Sequence, residues 1–293
     1  MDMFPYARAV EKTVGYIVKL FRLDSPLNLT ERPGPGALNL APRRFVKIGG
    51  KFFLPAEKTL RDSIGNSKMT TLEHDFIEFA LKARVLRFGE FKTKAGRLSP
   101  YFFNAGLFNT GSLLDRLGAF YAKKILEKRE SGELQFDMLF GPAYKGIPLV
   151  ASIAINLSRL GLDLPWAFNR KEKKDHGEGG TIIGSPLMGR VLIVDDVISA
   201  GTSIRESIAI IRDNGAIPAG VAIALDRMEK GGNAEEVTET SAVQDVEKTF
   251  SIPVVSIANL TNLLEFLKSG SDAAQEFTSH TEAVTAYRNR YGA

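Results

Sequence analysis

Beyond residue 69, short apolar runs alternate with segments of helical periodicity. The runs at 138–140, 191–194 and 219–225 predict buried strands. Apolar positions three and four residues apart predict helices over 113–126, 147–160 and 204–212. Strands that alternate with helices indicate an α/β fold, in which an open, mostly parallel sheet carries helices on both faces.

The first 68 residues follow no such pattern. Their weakly helical start is followed by the breaks RPGPG at 32–36, APRR at 41–44 and GG at 49–50. We therefore expect two domains: a basic, disordered or non-native extension over 1–68, and a folded domain over 69–293. Three origins of the extension stay open: translated upstream sequence with Met69 as the true start, a disordered or lineage-specific arm, or a targeting segment.

Composition excludes several classes of function. The 293 residues contain no cysteine, which excludes disulfides, thiolate metal sites and cysteine nucleophiles and is compatible with the cytoplasm. The net charge of +4 is unevenly distributed, since residues 1–68 hold 12 Lys/Arg and 6 Asp/Glu whereas 69–293 hold 26 and 28. The larger domain therefore offers no broad basic surface for nucleic acid, and no apolar stretch reaches the roughly 18 residues of a membrane span.

The most informative chemistry follows the predicted strand at 191–194. Asp195 and Asp196 stand at its carboxyl end, and a turn of small residues, 199–203, leads into the next predicted helix. In an open α/β sheet, ligands bind beyond the carboxyl ends of the strands, and a helix start presents backbone N–H groups to phosphate. Paired carboxylates suit sugar hydroxyls, or Mg²⁺ shared with a polyphosphate. Together these features predict a site for a phosphorylated ribose.

Two further segments place cationic side chains near this edge of the sheet. In NRKEKKDHGEGG (169–180), five basic side chains counting His176 precede three closely spaced glycines, which predicts a mobile loop. Such a loop could cover a leaving diphosphate as a lid and stabilise its charge. The segment GPAYKG (141–146) follows a predicted strand, so that Lys145 could reach a phosphate.

Five segments resemble the orotate phosphoribosyltransferases of the type I phosphoribosyltransferase family, in the same order along the chain. They are TKAGRLSPYFFNAG (93–106), LFGPAYKGIP (139–148), NRKEKKDHGEGG (169–180), VLIVDDVISAGTS (191–203) and ALDR (224–227). The resemblance implies the type I fold, with a small hood from the N-terminal part of the catalytic domain. It implies transfer of ribose 5-phosphate from 5-phosphoribosyl 1-diphosphate (PRPP) to orotate by a homodimer. It also implies Mg²⁺ as cofactor, bound mainly through the substrate with Asp195 and Asp196 nearby.

The same resemblance implies roles for individual residues. The catalytic residues would be Lys174, Asp195 and Asp196. The PRPP-binding residues would be Lys94, Tyr144, Lys145, Arg170, Lys171, Lys174, His176, Asp195, Asp196, Val197, Ile198, Ser199, Ala200, Gly201, Thr202 and Ser203. The orotate-binding residues would be Phe102, Phe103, Ser199 and Arg227, and a guanidinium can grip a carboxylate in bidentate fashion. Lys171, Lys174 and His176 would be delivered across the dimer interface.

Two other functions share part of this pattern. A phosphoribosyltransferase for a purine would share 191–203, but not Lys94, 102–103 and Arg227 in this arrangement. A non-catalytic regulator that senses PRPP could keep 191–203, but it would usually need a DNA-binding element, and residues 1–68 show no clear helix-turn-helix pattern. The sequence contains no P-loop, HExxH or dinucleotide-binding fingerprint. The orotate reaction is therefore the function we predict.

Overall fold

The structure is a computed structural model of the chain, and it describes residues 46–48, 51–53, 71–93, 95–174, 180–233 and 235–293. The chain divides into two compact units, Met1–Ser67 and Lys68–Ala293. In the first unit, strands β1 (Val46–Ile48) and β2 (Lys51–Phe53) pair antiparallel. The sequence pattern predicts neither of these two strands.

The second unit alternates strands and helices. Its strands are β3 (Leu86–Lys92), β4 (Leu98–Phe103), β5 (Met138–Gly141), β6 (Trp166–Lys174), β7 (Gly180–Gly184), β8 (Arg190–Val194), β9 (Ile217–Asp226), β10 (Lys230–Gly232), β11 (Val237–Ser241) and β12 (Val254–Asn259). Its helices are α1 (Leu72–Lys82), α2 (Gly111–Glu130), α3 (Gly146–Arg159), α4 (Thr202–Asp213), α5 (Ala242–Phe250), α6 (Leu260–Lys268), α7 (Asp272–Gln275) and α8 (Thr281–Tyr291). The predicted strands and helices all occur, each within a few residues of its predicted bounds.

The central sheet has six strands in the order β12-β9-β8-β5-β6-β7. Every neighbouring pair runs parallel except β6 and β7, which run antiparallel. The predicted open, mostly parallel sheet is confirmed. Because β5, β8 and β9 are neighbours and run parallel, the loops that leave their carboxyl ends meet at one edge of the sheet.

The alternation of side chains along β8 fills two separate cores. Leu192 and Val194 pack into the core on the side of α1, α2 and α3, whereas Val191 and Ile193 pack into the core on the side of α4 and α5. All four side chains are fully buried. A strand buried on both faces needs a continuous apolar run, which explains why the sequence pattern predicts β8 so clearly.

An antiparallel hairpin of β3 and β4 forms the predicted hood element. Arg97, in the turn before β4, is buried, and its guanidinium donates hydrogen bonds to the backbone carbonyls of Lys230, Gly231 and Asn233 at 2.6–3.1 Å. The same guanidinium lies over the ring of Tyr291, 4.7 Å from its centroid. Arg97 therefore ties the hood to the segment after β9 and to helix α8.

The structure corrects the prediction of a loop over 170–180. Strand β6 continues through Lys174, and its return strand β7 pairs with it from Gly180 onward. The first part of β6, at 166–168, is held by parallel pairing with β5, and antiparallel pairing with β7 extends the strand through Lys174. This pairing outweighs the local preference of a polar, glycine-rich segment. The segment that the sequence predicts as a lid thus begins, over 169–174, as a strand of a β-hairpin. Residues 175–179, including His176, lie outside the described residues.

Candidate active site

The backbone of Asp195 is held between the sheet and helix α2. Its N–H donates to the carbonyl of Ala222 in β9 at 3.0 Å. Its carbonyl accepts a 2.7 Å hydrogen bond from the hydroxyl of Tyr121, whose side chain is almost completely buried. Burial raises the pKa of Tyr121, so that the hydroxyl stays a donor at neutral pH. These two bonds fix the point from which both acidic side chains project.

The two carboxylates have different partners. Asp195 accepts hydrogen bonds from the N–H of Asp196 at 2.9 Å and the hydroxyl of Ser203 at 3.0 Å. Burial, followed by the charge of Asp196, raises the pKa of Asp195 to about 6. Asp196 forms an ion pair with Lys145 at 2.7 Å and accepts the N–H of Val197 at 3.0 Å. The side chain of Lys145 is well exposed whereas that of Asp196 is mostly buried, so the ion pair extends from the buried sheet edge to the protein surface.

The turn before helix α4 is open to an anion. Gly201 caps the helix with φ 70°, a left-handed conformation that favours glycine, and among the residues that the structure describes no side chain caps the first turn. Ser199, Ala200 and Thr202 are exposed beside these N–H groups. The first turn can therefore donate several backbone hydrogen bonds to a phosphate.

Two of the predicted PRPP residues in this turn have other partners for their side chains. Ile198 is buried in the core beneath α4, so that only its backbone is available to a ligand. The hydroxyl of Ser203 donates to Asp195. Its N–H group, in the first turn of α4, is the donor that a phosphate at this position would contact.

The loop 141–146 is built on contact between two glycines. A β-carbon on Gly141 would overlap the carbonyl oxygen of Gly146, and one on Gly146 would lie 2.6 Å from the carbonyl carbon of Gly141. The peptide between Ala143 and Tyr144 is cis. The N–H of Ala143 donates to the side chain of Asn169 in β6 at 2.8 Å, so that this loop is joined to the base of the lid.

Lid and loop also meet through side chains. Lys171 places its ammonium 5.6 Å from the centroid of the exposed Tyr144 ring. Arg170 is half-buried next to it in β6. Lys174 lies at the end of β6 by its backbone, and Lys94 lies outside the described residues. The structure therefore brings Tyr144, Lys145 and Lys171 to the edge that carries Asp196.

The hood contributes aromatic surface. Phe103 is buried in the core, whereas Phe102 is 36% exposed and stacks on Phe91 with ring centroids 5.4 Å apart. The two phenylalanines thus face opposite sides of β4, as strand alternation predicts. Arg87 lies within 6 Å of both the Phe91 and Phe102 rings. One side of the hood is therefore available as a flat wall.

Arg227, directly after β9, is hydrogen-bonded within the chain. Its Nε and Nη2 atoms donate to one oxygen of Glu229 at 2.8 and 2.6 Å, and Nη2 also donates to Ser99 at 3.1 Å. The resemblance implies that Arg227 binds orotate, and that role stays a prediction. Two of its guanidinium nitrogens already have partners in the chain.

A cavity of about 150 Å³ opens beside the Lys145–Asp196 pair. Apart from that pair its lining is mainly apolar and includes Phe108, Leu117 and Leu149.

Sequence reasoning missed Tyr121, Asn169 and Glu229, because each supports this edge from an element distant in sequence and stands in no local motif.

Comparisons with known proteins agree with this geometry. The family model described as "Phosphoribosyl transferase domain" matches residues 109–254. The orotate phosphoribosyltransferase of Polynucleobacter asymbioticus is 58% identical over 220 residues, which are 75% of this chain and 96% of that protein. That of Laribacter hongkongensis is 61% identical over 224 residues, or 76% and 99% of the two chains.

The chain belongs to the orotate phosphoribosyltransferase family. A crystal structure of the orotate phosphoribosyltransferase from Francisella tularensis matches with a TM-score of 0.64 and 41% identity, over 75% of this chain and all of that one. The type I phosphoribosyltransferase fold follows from these matches. In the described part of this family member, no helix is long and apolar enough to cross a membrane.

Proposed function

We propose that the chain transfers ribose 5-phosphate from PRPP to orotate, which gives orotidine 5′-monophosphate and diphosphate for pyrimidine biosynthesis. The observation that carries the proposal is the Lys145–Asp196 ion pair at the carboxyl edge of the sheet, next to the uncapped start of α4. This edge offers a cation, two carboxylates and backbone donors in one place. PRPP carries diphosphate, ribose hydroxyls and a 5′-phosphate, which need these groups respectively.

The ion pair determines which ligands this site should favour. Asp196 is mostly buried and is neutralised by Lys145. A ligand that takes Lys145 alone would leave a poorly solvated carboxylate unpaired, which is costly. PRPP avoids this cost because its diphosphate takes the lysine while its ribose hydroxyls take the carboxylate. Phosphate without the sugar should therefore bind weakly.

Each part of the site then has one task in the reaction. The N–H groups of 199–203 hold the 5′-phosphate, and Asp195 and Asp196 hold the ribose hydroxyls next to the cationic sugar. Lys145 and the lid residues Arg170, Lys171, Lys174 and His176 stabilise the negative charge that grows on the diphosphate. The 102–103 segment, Ser199 and Arg227 orient the orotate nitrogen towards the anomeric carbon, and Lys94 also contacts PRPP. Orotate reacts as an anion, so that no general base is required.

Mg²⁺ fits this donor set as a substrate-bound ion. Among the described residues, no three His, Cys, Asp or Glu side chains cluster as a metal site. Two adjacent carboxylates are hard oxygen donors but too few for an octahedral ion, so that PRPP oxygens and water would complete the coordination. Bound in this way, Mg²⁺ would neutralise charge on the diphosphate. Asp195 and Asp196 would lie near it.

We further propose a homodimer that shares the lid. Strand β6 carries Lys174 five residues beyond Asn169, which corresponds to at most about 17 Å of extended chain. Asn169 is the residue that touches the loop 141–146. A lid of this length exceeds the reach of a lysine side chain back to its own base, which favours delivery of Lys174 and His176 to a second copy. Lys171, for which the resemblance implies the same delivery, instead lies 5.6 Å from the Tyr144 ring of its own chain.

The N-terminal extension is proposed to be dispensable for this chemistry. The relatives are matched over 96–100% of their own length by 75–76% of this chain. The enzyme would act in the cytoplasm. No nucleic-acid or membrane partner is proposed.

The test is orotate consumption with Mg²⁺ and PRPP, by the full chain and by a shortened chain that starts at Met69. Equal turnover would support both the reaction and the dispensable extension. Turnover with purine bases only, or no turnover, would contradict the proposed reaction.

A further inference from the structure

Arg227 is embedded in a cluster of hydrogen-bonding side chains beneath the hood. Its side chain is 17% exposed, and its guanidinium lies over the ring of Tyr101, 4.6 Å from the centroid. Glu229, with 15% of its side chain exposed, accepts both Nε and Nη2 on the same oxygen, Oε1. An ion pair of this kind is costly to break, because either partner alone would be a poorly solvated charge.

The cluster fixes which edge of the guanidinium can meet a ligand. The Glu229 oxygen is also approached by the hydroxyl of Tyr101, which donates to it at 3.2 Å. Burial raises the pKa of Tyr101, so that this hydroxyl remains a donor. With Ser99 on Nη2, hydrogen bonds hold Nε and Nη2. Within the residues the structure describes, Nη1 has no hydrogen-bond partner.

We propose that Glu229 is a positioning residue for substrate specificity, which holds Arg227 so that Nη1 faces the carboxylate of a carboxylated pyrimidine. This inference rests on the proposed function. It replaces a two-point contact between the guanidinium and the substrate carboxylate with a contact through Nη1. The Nε and Nη2 atoms stay bonded to Glu229. The ion pair keeps Arg227 from turning, and the substrate does not have to order a long side chain.

The geometry also explains why a second carboxylate belongs so close to a site for an anion. Unpaired, the buried guanidinium would attract any small anion that entered. Paired with Glu229, it keeps directional N–H donors but little net charge, so that binding depends on the placement of the substrate oxygen. The cluster thus favours a planar ring whose carboxylate meets Nη1 of Arg227 in one orientation.

Steady-state kinetics of the full chain test this role. For Glu229→Ala we expect the KM for orotate to rise about tenfold, as for a lost charge-assisted hydrogen bond, while the KM for PRPP changes less than twofold. The preference for orotate over uracil, the same ring without the carboxylate, should fall by a similar factor. Glu229→Gln keeps an acceptor oxygen and should recover most of the loss.

A matched control separates positioning from stability. Glu73 forms another partly buried ion pair, 2.6 Å from Lys124, on helices α1 and α2. Glu73→Ala should lower the melting temperature and leave the orotate KM and the orotate-to-uracil preference unchanged. If Glu229→Ala moves only the melting temperature, as this control does, the role is structural and the proposal is overturned. If Glu229→Ala does not fold, the orotate KM values of Glu229→Gln and of the double mutant described below decide whether Glu229 positions Arg227.

The decisive comparison adds Glu229→Ala to Arg227→Ala, a background in which no unpaired guanidinium remains. If Glu229 acts through Arg227, the second change should alter the orotate KM less than twofold. Independent, multiplying effects would overturn the proposal, and so would a lower orotate KM in Glu229→Gln, because it would mean that Glu229 competes with the substrate. Wild-type protein without orotate turnover would instead contradict the proposed function, and this result is distinguishable because it needs no variant.

Discussion

Tyr121→Phe removes one oxygen atom beneath the active site and leaves the ring in place. The lost hydroxyl donates at 2.7 Å to the backbone carbonyl of Asp195, and both groups are buried. Leaving a buried acceptor without its donor costs about 1–3 kcal/mol. For a domain of this size, about 2 kcal/mol corresponds to a fall of about 4–8 °C in melting temperature. The Asp195 backbone is also less restrained, so kcat/KM for PRPP should fall.

Tyr287→Phe provides the matched control. Its hydroxyl is buried and approaches Ser99 and Glu229, but it makes no hydrogen bond of normal geometry with any residue in the described part of the chain. Removing an unpartnered buried hydroxyl should leave stability unchanged or raise it slightly. Urea unfolding of both variants, analysed at constant m-value, makes the comparison. Equal losses in the two variants, or no loss in Tyr121→Phe, would refute the reasoning.

Three further predictions concern the lid and the acids. Lys174→Ala should lower kcat a hundredfold or more with the fold intact, and a loss below threefold would remove Lys174 from the mechanism. Mixing Lys174→Ala with Asp196→Asn subunits should restore part of the activity, and no recovery despite confirmed subunit exchange would argue against a shared lid. Since the pKa of Asp195 is raised to about 6, protonation below that pH should weaken PRPP binding about tenfold between pH 8 and pH 5. Calorimetry would show this, and Asp195→Asn should keep only the weaker dependence that comes from the PRPP phosphates, whose second pKa is about 6.

Part of the site could be predicted from the sequence because the residues that form it are contiguous. The β8 run and the turn at 199–203 are contiguous, so their hydrophobic pattern and small residues predict the strand, the acids and the open helix start together. The lid was different: its glycines and charges favour a loop locally, and antiparallel pairing with β7 extends it as a strand. The polar residues at 170–174 show no apolar alternation that would signal that pairing.

Long-range side-chain partners could not be predicted in this way. Arg97 bonds carbonyls 133–136 residues away, and Tyr121 bonds a carbonyl 74 residues away. Glu229 is only two residues from Arg227, yet the sequence gives no sign that their side chains meet over Tyr101. Such contacts depend on the sheet order, which fixes neighbours only after the chain has folded.

Gly141 and Gly146, at the two ends of the 141–146 loop, restrict which substitutions this loop can accept. Since each glycine occupies the space that a side chain on the other would need, an alanine at either end cannot be accommodated without moving backbone. A mutational library of this loop is therefore expected to tolerate changes at the four positions between them better than at either glycine. An engineer seeking a different leaving group should randomise 142–145 and keep both ends as invariant boundaries of the loop.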